Sequence, residues 1–309
     1  MNRFKPYIAG LFLLFSASLA AAEYPLEVQK ITPEIYALVG EMAQRSPDNY
    51  GNNSTHGVII TSEGVVLIDT GGSYLGAKQI HKAIQNLTDQ PIKWVINTGG
   101  QDHRWLGNGY FKALGATIIS SEAAQADQEE RTDTQLNRLT TLIGDSLTGT
   151  EAVYADETFT SKKMLQLGGL TLEIHYEGSA HTAGDSFIWL PAQKVIFSGD
   201  IVFTERALGI GPAKNAKSWL AVFKKMARYQ PEFIVPGHGH VATLAQATQD
   251  THDYLAFLIS KITLMVEDSE GIIAATELDQ SRFSYLKQFD SISRKNAQDL
   301  YEQLEFDFF

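Results

Sequence analysis

Cysteine is absent from all 309 residues of the sequence. The chain therefore forms no disulfide bond, carries no thiolate ligand for a metal, has no catalytic thiol and offers no cysteine for a lipid anchor. Internal repeats and low-complexity linkers are also absent. These absences exclude disulfide-stapled scaffolds, thiolate metal sites and repeat arrays, so the chemistry must come from nitrogen and oxygen side chains.

Basic residues are outnumbered by acidic ones. Lysine and arginine number 25 against 36 aspartate and glutamate residues, which gives a formal net charge of -11. Proteins that bind nucleic acids concentrate lysine and arginine on one face, and the sequence contains no such basic stripe. We expect a small-molecule substrate and no nucleic-acid partner.

The first residues have the pattern of an export signal. Arg3 and Lys5 precede an apolar run from Tyr7 to Leu19, and three alanines follow at 20–22. A basic start, a short apolar stretch and a small-residue end are typical of a secretory signal peptide. No later stretch approaches the roughly 18 to 20 apolar residues of a membrane-spanning helix. The sequence predicts a signal peptide at 1–22, a periplasmic protein and no stable membrane insertion.

Apolar strands alternate with amphipathic helices along the remaining chain. The hydrophobic pattern predicts strands at 35–39, 57–60, 65–68, 92–96, 117–119, 164–167, 170–176, 186–190, 195–197 and 233–235, and helices at 74–86, 122–143 and 291–304. Strands followed by helices, repeated in two halves, indicate an α/β fold in which two mixed β-sheets pack face to face with helices on the outer faces, an αββα sandwich. We expect one such domain over 23–309, ending in C-terminal helices.

Polar side chains follow several predicted strands. Asp69 ends the strand at 65–68, Asp200 follows the strand at 195–197, and His238 follows the strand at 233–235. Carboxylates and imidazoles in such places need partners, and a divalent metal satisfies several of them together. Nitrogen and oxygen ligands without sulfur suit zinc, and manganese or iron also fits this set.

The order of these residues resembles that of the metallo-β-lactamase fold superfamily. Its members carry an early aspartate, a His-x-His-x-Asp-His loop, a lone histidine, a bridging aspartate and a final histidine. In this sequence Asp69 matches the early aspartate, which orients the loop instead of binding metal, and His181 matches the lone histidine. Asp200 matches the bridging aspartate and His238 the final ligand. The resemblance covers positions 57 to 240 and implies a metal-dependent hydrolase.

The histidine-rich loop departs from the family pattern. When the loop is aligned without a gap, the two leading histidines fall on Gly99 and Gln101, and the Asp-His pair falls on His103 and Arg104. A one-residue slip places Asp102 and His103 on that pair instead, which fits ligand chemistry better. Both registers remove one metal position and keep His103 beside the other.

The resemblance implies one tightly bound ion, in the first place zinc. The expected metal ligands are Asp102, His103, His181, Asp200 and His238. Asp102 and His181 are also the candidates for accepting a proton or orienting a water molecule.

Further residues are expected to support or surround this site. Gln101 faces the incomplete metal position, and His240 supports the ligands or lines the cleft wall. Arg104 and Trp105 are candidates for contact with the substrate, whereas His56 is expected on an exposed loop.

The expected reaction is the attack of a metal-activated water on an ester, lactone, amide or thioester. The exported, cysteine-free chain and its loop at 97–111 are most similar to periplasmic metallohydrolases related to quinoprotein and sulfur-oxidation systems. That similarity leaves an alternative open. The protein would then bind a metal or ligand without catalysis, or serve as an accessory protein for periplasmic quinoprotein or sulfur-compound oxidation that docks a redox-system partner.

Overall fold

The computed structural model describes residue 1, residues 25–211 and residues 215–308. The signal peptide predicted at 1–22 lies outside the described residues, apart from Met1. Within these described ranges, no helix combines the length and the apolar character that crossing a membrane requires.

Seven strands form the first sheet, and they lie across it in chain order. They are β1 (Glu27–Lys30), β2 (Ile35–Val39), β3 (Thr55–Thr61), β4 (Gly64–Ile68), β5 (Ile92–Asn97), β6 (Thr117–Ser121) and β7 (Glu157–Phe159). Neighbours from β1 to β4 are antiparallel, and neighbours from β4 to β7 are parallel. The sheet is therefore mixed, with its parallel half joined through helices, as parallel strands require.

Five strands form the second sheet, in the order β12, β11, β10, β9, β8. They are β8 (Lys162–Leu167), β9 (Leu170–Tyr176), β10 (Ser186–Leu190), β11 (Val195–Phe203) and β12 (Phe233–His238). Only β11 and β12 are parallel within this sheet. The register between these two strands is irregular from Phe197 to Phe203, so β11 continues six residues beyond its predicted end and carries Asp200 into the sheet.

The helices are α1 (Tyr74–Gln85), α2 (Asp102–Trp105), α3 (Asn108–Ala113), α4 (Glu122–Ile143), α5 (Ala216–Ala227), α6 (Leu244–Ala247), α7 (Asp253–Glu267), α8 (Ile272–Thr276) and α9 (Phe289–Phe308). Side-chain caps mark where several of them begin. The Ser73 hydroxyl accepts from Gly76 N at the start of α1, and the Ser121 hydroxyl accepts from Ala124 N at the start of α4. Such caps satisfy backbone donors that a helix leaves without partners at its N-terminus.

Three apolar layers give the αββα sandwich that the sequence predicts. Between the sheets, Ile59 and Ile68 of the first pack with Ile188 and Phe197 of the second. The outer face of the first sheet is covered mainly by α1 and α3, and that of the second by α5, α7 and α9. Because both faces are covered, every residue of β4, β10 and β11 is buried.

The strand ends of the two sheets meet along one edge of the sandwich. The Thr55 hydroxyl at the start of β3 donates to Gly239 O, just after β12, at 2.6 Å. Asp69 follows β4, His238 ends β12, and Asp200 lies within the irregular part of β11. This edge brings polar side chains from distant parts of the chain into one buried place.

The close approach of the two sheets at Gly57 gives a first prediction. A Cβ atom on Gly57 would overlap the ring of Phe197 from the opposite sheet. Replacing Gly57 by alanine should therefore lower the free energy of unfolding by about 1–3 kcal/mol, the usual cost of overpacking a core. Urea unfolding measures this loss.

A Gly109→Ala variant is the matched control, because its Cβ would meet only an ordinary contact with Val153. Gly109 lies in α3, where alanine is the better helix former, so this variant should keep or gain stability. Equal losses in both variants would contradict the packing argument.

Candidate metal centre

Three buried side chains bring their ligand atoms together at the sheet edge. His103 Nε2 lies 3.1 Å from Asp200 Oδ2, and His238 Nε2 lies 3.3 Å from Asp200 Oδ1. All three candidate ligand atoms lie within 4.8 Å of one another. Within the described part of the chain, these residues are the one such group of histidine and carboxylate side chains.

The spacing of this trio, His103, Asp200 and His238, fits a divalent ion. Zinc binds nitrogen and oxygen ligands at about 2.0–2.2 Å, which places tetrahedral ligand atoms about 3.3 Å apart. The observed separations of 3.1 and 3.3 Å are close to this value, and they run from the two imidazoles to different oxygens of Asp200. Two imidazoles and one carboxylate leave at least one coordination position open, as in catalytic rather than structural zinc sites.

Arg104 lies beneath the trio and holds its carboxylate. The guanidinium is fully buried and donates to Asp200 Oδ1 at 2.6 Å and to Asp69 Oδ2 at 2.9 Å. It also donates to the carbonyls of Thr55 and Gly237. Burial favours the neutral acid, but the Arg104 charge outweighs it and holds the pKa of Asp200 well below the ordinary value. Asp200 is therefore an anion at neutral pH.

Each imidazole has an oxygen acceptor beside Nδ1, the nitrogen that faces away from Asp200. Its Nε2 atom, which faces Asp200, can therefore present a lone pair to a metal ion. His238 Nδ1 lies 2.7 Å from Asn53 O, and His103 Nδ1 lies 3.1 Å from Asp102 Oδ1. A carbonyl or carboxylate oxygen only accepts, so these contacts favour a proton on Nδ1 and a lone pair on Nε2. This is the arrangement found around metal-bound histidines.

Two arginines approach the same outer nitrogens and favour the opposite tautomer. Arg45 Nη2 lies 2.7 Å from His103 Nδ1, and Arg206 Nη1 lies 2.7 Å from His238 Nδ1. A guanidinium only donates, so these contacts leave Nε2 protonated and donating to Asp200. The metal-binding and metal-free forms of the trio are therefore both provided with hydrogen-bond partners.

Asp102 lies outside the trio, although the slipped register expected it to be a ligand. Its Oδ1 accepts from His103 N at 2.7 Å and pairs with the guanidinium of Arg45. Burial opposes ionisation, but the charge of Arg45 and bonds to His103 lower the pKa of Asp102. Successive residues of a helix point about 100° apart, so Asp102 and His103 at the start of α2 face different ways.

The carboxyl group of Asp185 lies directly against Gly99. A Cβ atom on Gly99 would overlap Asp185 Oδ1, whose carboxylate accepts from Thr182 N at 2.6 Å. Burial, and then repulsion by Asp200, raise the pKa of Asp185 to about 8. Gln101 is also engaged, since its Oε1 accepts from Arg131 Nη1 at 3.3 Å. A neutral carboxyl group occupies the space beside Gly99, where the family carries a histidine.

His181 keeps the position of the lone histidine but lies outside the trio. Its ring packs edge-on against Phe203 and Trp219, and its Nδ1 is buried without a hydrogen-bond partner. Burial lowers its pKa to about 4, despite the opposing charge of Asp200. His181 is therefore a neutral imidazole at pH 7, with a ring nitrogen available to a ligand.

Asp69, Trp105 and His240 make contacts that hold the segments around the site in place. Asp69 accepts from Thr98 N at 2.7 Å and so holds the loop that precedes α2. Trp105 is fully buried, donates to Gln135 and stacks on Tyr154. With Arg104 also fully buried, the structure places neither expected substrate contact at a surface.

His240 lies at the rim of the site. Its Nδ1 lies 2.6 Å from Glu205 Oε2 and its Nε2 lies 3.1 Å from Glu27 Oε2. Partial burial opposes protonation, but bonds to the two glutamates raise the pKa of His240. This side chain joins β1 to the end of β12.

The structure corrects the expectation for His56 and adds residues that the sequence did not indicate. His56 is fully buried in β3 rather than on an exposed loop. Burial, and then the charge of Arg104, lower its pKa well below the ordinary value. Arg45 and Arg206 contact the trio from positions outside the family motif, so no spacing signal was available for them. Asp185 lies four residues after His181 in the sequence, and its proximity to Gly99 could not be foreseen from that spacing.

A family model described as the metallo-beta-lactamase superfamily matches residues 50–238. The chain is 25% identical to metallo-beta-lactamase type 2 of Elizabethkingia meningoseptica over 197 residues, covering 61% of this chain and 69% of that protein. It is 24% identical to metallo-beta-lactamase IND-1 of Chryseobacterium indologenes over 250 residues, covering 76% of this chain and 93% of that one. The residues that the family model matches include the trio and the loop before it.

Solved structures show the same fold. A metallo-beta-lactamase from Pontibacter korlensis superposes with a TM-score of 0.60 at 25% identity, covering 75% of this chain and 99% of that one. A double mutant of the sec-alkyl sulfatase PisA1 superposes with a TM-score of 0.72 over 90% of this chain and 50% of that one. The sulfatase is only 15% identical, so its likeness is one of fold alone.

The overlap between Gly99 and Asp185 gives a second prediction. A Gly99→Ala variant should lose about 1–3 kcal/mol of unfolding free energy, because the new methyl group has no space beside the carboxylate. In an Asp185→Ala background the same substitution should cost much less, which a double-mutant cycle of urea unfolding in a chelator measures.

Gly209→Ala is the control, because nothing lies near its Cβ position. If Gly99→Ala lowers the free energy of unfolding equally with and without Asp185, the Asp185 carboxyl group is not what crowds a side chain at position 99.

The raised pKa of Asp185 gives a third prediction. Its pKa is about 8 in the fold against an ordinary value of 3.8, so folding favours the protonated acid. The stabilisation is complete below the ordinary pKa and is lost as the pH rises towards 8. Wild-type protein should therefore lose more stability between pH 5 and pH 8 than an Asp185→Asn variant, as measured by urea midpoints. An Asp268→Asn variant, changed at an exposed position, should follow the wild type, and a wild-type slope in Asp185→Asn would refute the assignment.

Proposed function

The chain belongs to the metallo-beta-lactamase superfamily, and on that premise we propose that it is a hydrolase that works with one divalent ion. The observation that supports the proposal is the trio, in which two imidazole nitrogens lie 3.1 and 3.3 Å from the oxygens of one buried carboxylate. The donor set and spacing fit zinc in the first place, and manganese or iron is also compatible.

The residues around the trio prepare it to hold such an ion. Asn53 O orients His238, and Asp102 orients His103, so that both Nε2 atoms face Asp200. Arg104 keeps Asp200 ionised and fixes both of its oxygens. When bound, an ion supplies Lewis acidity that polarises the scissile group and activates water.

His181 is proposed to orient the attacking water or to accept its proton. Its ring contacts Phe203, which also stacks on His238, and it is neutral at pH 7 because its pKa is about 4. Phe203 and Trp219 hold its ring. A held, neutral imidazole with a free nitrogen is suited to contact water without competing for Asp200.

The proposed substrates are esters, lactones, amides or thioesters. A curated relative is a metallo-beta-lactamase and a structural neighbour is a sec-alkyl sulfatase, so related folds are associated with cleavage of polar bonds of more than one kind. Export to the periplasm remains a proposal that rests on the sequence of residues 3–22.

A second candidate function is a non-catalytic metal- or ligand-binding protein. The contacts of Arg45 and Arg206 with the outer imidazole nitrogens favour it, because they stabilise a trio in which Nε2 atoms are protonated. In that form neither Nε2 atom has a lone pair available to bind a metal ion.

Metal content and hydrolysis of the purified protein give a fourth prediction. Wild-type protein should retain about one equivalent of zinc after dialysis, measured by plasma mass spectrometry, and should hydrolyse 4-nitrophenyl esters. His238→Ala and His103→Ala should lose both the metal and the activity. His181→Ala should keep the metal but lose about 10²-fold or more in kcat, the range for a proton-transfer or water-orienting group.

His252→Ala is the matched control, because the described contacts of His252 are with Asp253 and Phe223 and not with the trio. Full activity in His238→Ala would sink the hydrolase proposal. Bound zinc without hydrolysis of any ester would favour the binding protein.

A further inference from the structure

A cleft of about 550 Å³ is lined by residues of α4 and α9 and by the loop before α2. This volume lies within the range of pockets that hold small molecules. The buried side chains of its lining are polar, and they are Gln101, Asp102, Gln135 and Asn296. The trio does not contribute to the lining, so a ligand in this cleft has to be recognised by these polar groups.

Two of the four buried side chains already use both ends of their amide groups. Gln135 donates to Gly100 O at 2.8 Å and accepts from Trp105 Nε1 at 3.0 Å. Asn296 donates to Leu208 O at 2.7 Å and accepts from a backbone nitrogen at 2.9 Å. These two residues build the wall of the cleft and have little left to offer a ligand.

Asp102 has one carboxylate oxygen without a partner. Its Oδ1 accepts from His103 N at 2.7 Å and from Arg45 Nε at 3.0 Å. Its Oδ2 is buried and has no hydrogen-bond partner. Leaving a buried polar atom unpaired is unfavourable, and a carboxylate oxygen can only accept. The oxygen that Asp102 leaves for the cleft therefore requires a donor.

Gln101 presents a donor next to this acceptor. Its Oε1 accepts from Arg131 Nη1 at 3.3 Å. Because a guanidinium only donates, this contact fixes which end of the amide is the oxygen. The Nε2 atom has no hydrogen-bond partner among the residues that the structure describes. Two consecutive buried residues thus offer one free acceptor and one free donor to the same cleft.

The other lining residues restrict the ligand further. Arginine and lysine outnumber aspartate in the lining, with Arg131, Arg138 and Lys295 against Asp102 and Asp299. This excess disfavours a cationic donor, so the group that donates to Asp102 should be neutral. Ile292 supplies an apolar side chain, and the space beside the Cα atom of Gly209 is open. A small ligand with one polar end and a short apolar end fits this lining.

We propose that this cleft binds a small neutral molecule through a carboxamide group. The amide N–H donates to Asp102 Oδ2, the amide carbonyl accepts from Gln101 Nε2, and a short apolar tail lies against Ile292. A planar amide carries its donor and its acceptor side by side, as the two residues require. Binding here involves neither a metal nor turnover, so it goes beyond the proposed hydrolase function and stands or falls separately.

NMR titration with two small probes of equal size tests the proposal on the full-length protein. The first is 3-methylbutanamide. The second is 4-methylpentan-2-one, which keeps the carbonyl but has a methyl group in place of the NH₂. The wild type should bind the amide in about the millimolar range, as expected of so small a ligand. It should bind the ketone about tenfold or more weakly, the factor of one hydrogen bond to a charged group.

An Asp102→Asn variant should reverse this preference. His103 N and Arg45 only donate, so they hold the new side-chain oxygen at the Oδ1 position and place the NH₂ where Oδ2 was. The variant should lose at least about tenfold in amide affinity and bind the ketone no worse than the wild type. Asp268→Asn makes the same change at an exposed position and should behave as the wild type.

A Gln101→Glu variant tests the donor without altering the contacts of Asp102. It keeps an acceptor for Arg131 and replaces the Nε2 donor with an oxygen, so it should weaken binding of both probes. Urea unfolding checks that each variant is folded, and if Asp102→Asn is not, Gln101→Glu decides.

Three results overturn the proposal. Wild-type protein that binds neither probe would mean that the Asp102 oxygen is met by water only. Equal affinity of the wild type for both probes would show that no donor is required. Unchanged binding in the folded variants would show that Asp102 and Gln101 do not hold the ligand. Ester hydrolysis bears on the proposed function alone, because none of these measurements depends on it.

Discussion

The buried guanidinium of Arg104 is the interaction on which the rest of the site depends. It donates to the carboxylates of Asp69 and Asp200 and to the carbonyls of Thr55 and Gly237. These acceptors lie on β3, after β4, on β11 and on β12, so one side chain joins four strands from both sheets. A charge buried to this degree is tolerated only with such partners. The contact between the two sheets at this edge and the ionisation of the site therefore depend on the same side chain.

That constraint determines what Asp200 can offer. Because Arg104 holds both of its oxygens, the carboxylate cannot turn, and its remaining lone pairs face His103 and His238. The same anchoring leaves the imidazoles as the adjustable members, each placed between an oxygen acceptor and an arginine donor at Nδ1. The two arginines and the two oxygen acceptors therefore decide which nitrogen of each imidazole carries the proton.

Most of the fold could be predicted because its longer strands and helices have clear hydrophobic patterns in the sequence. β2, β9, β10 and α4 have the bounds that their patterns predict. The short α2 and α3 have too few residues to show a helical hydrophobic pattern, and they lie in the loop that departs from the family pattern. The site was predictable only where residues follow the family motif. Arg45 lies 57 and 58 positions before its partners Asp102 and His103, and no local pattern reports such a contact. Both registers placed His103 beside the ion, and in the structure it is His103 rather than Asp102 that faces Asp200.

The carboxyl group of Asp185 also affects the electrostatics of the site. Its pKa is raised to about 8 by burial and by Asp200, so it adds no negative charge at neutral pH. The negative charge that faces the two imidazoles therefore comes from Asp200, whose pKa Arg104 holds well below the ordinary value.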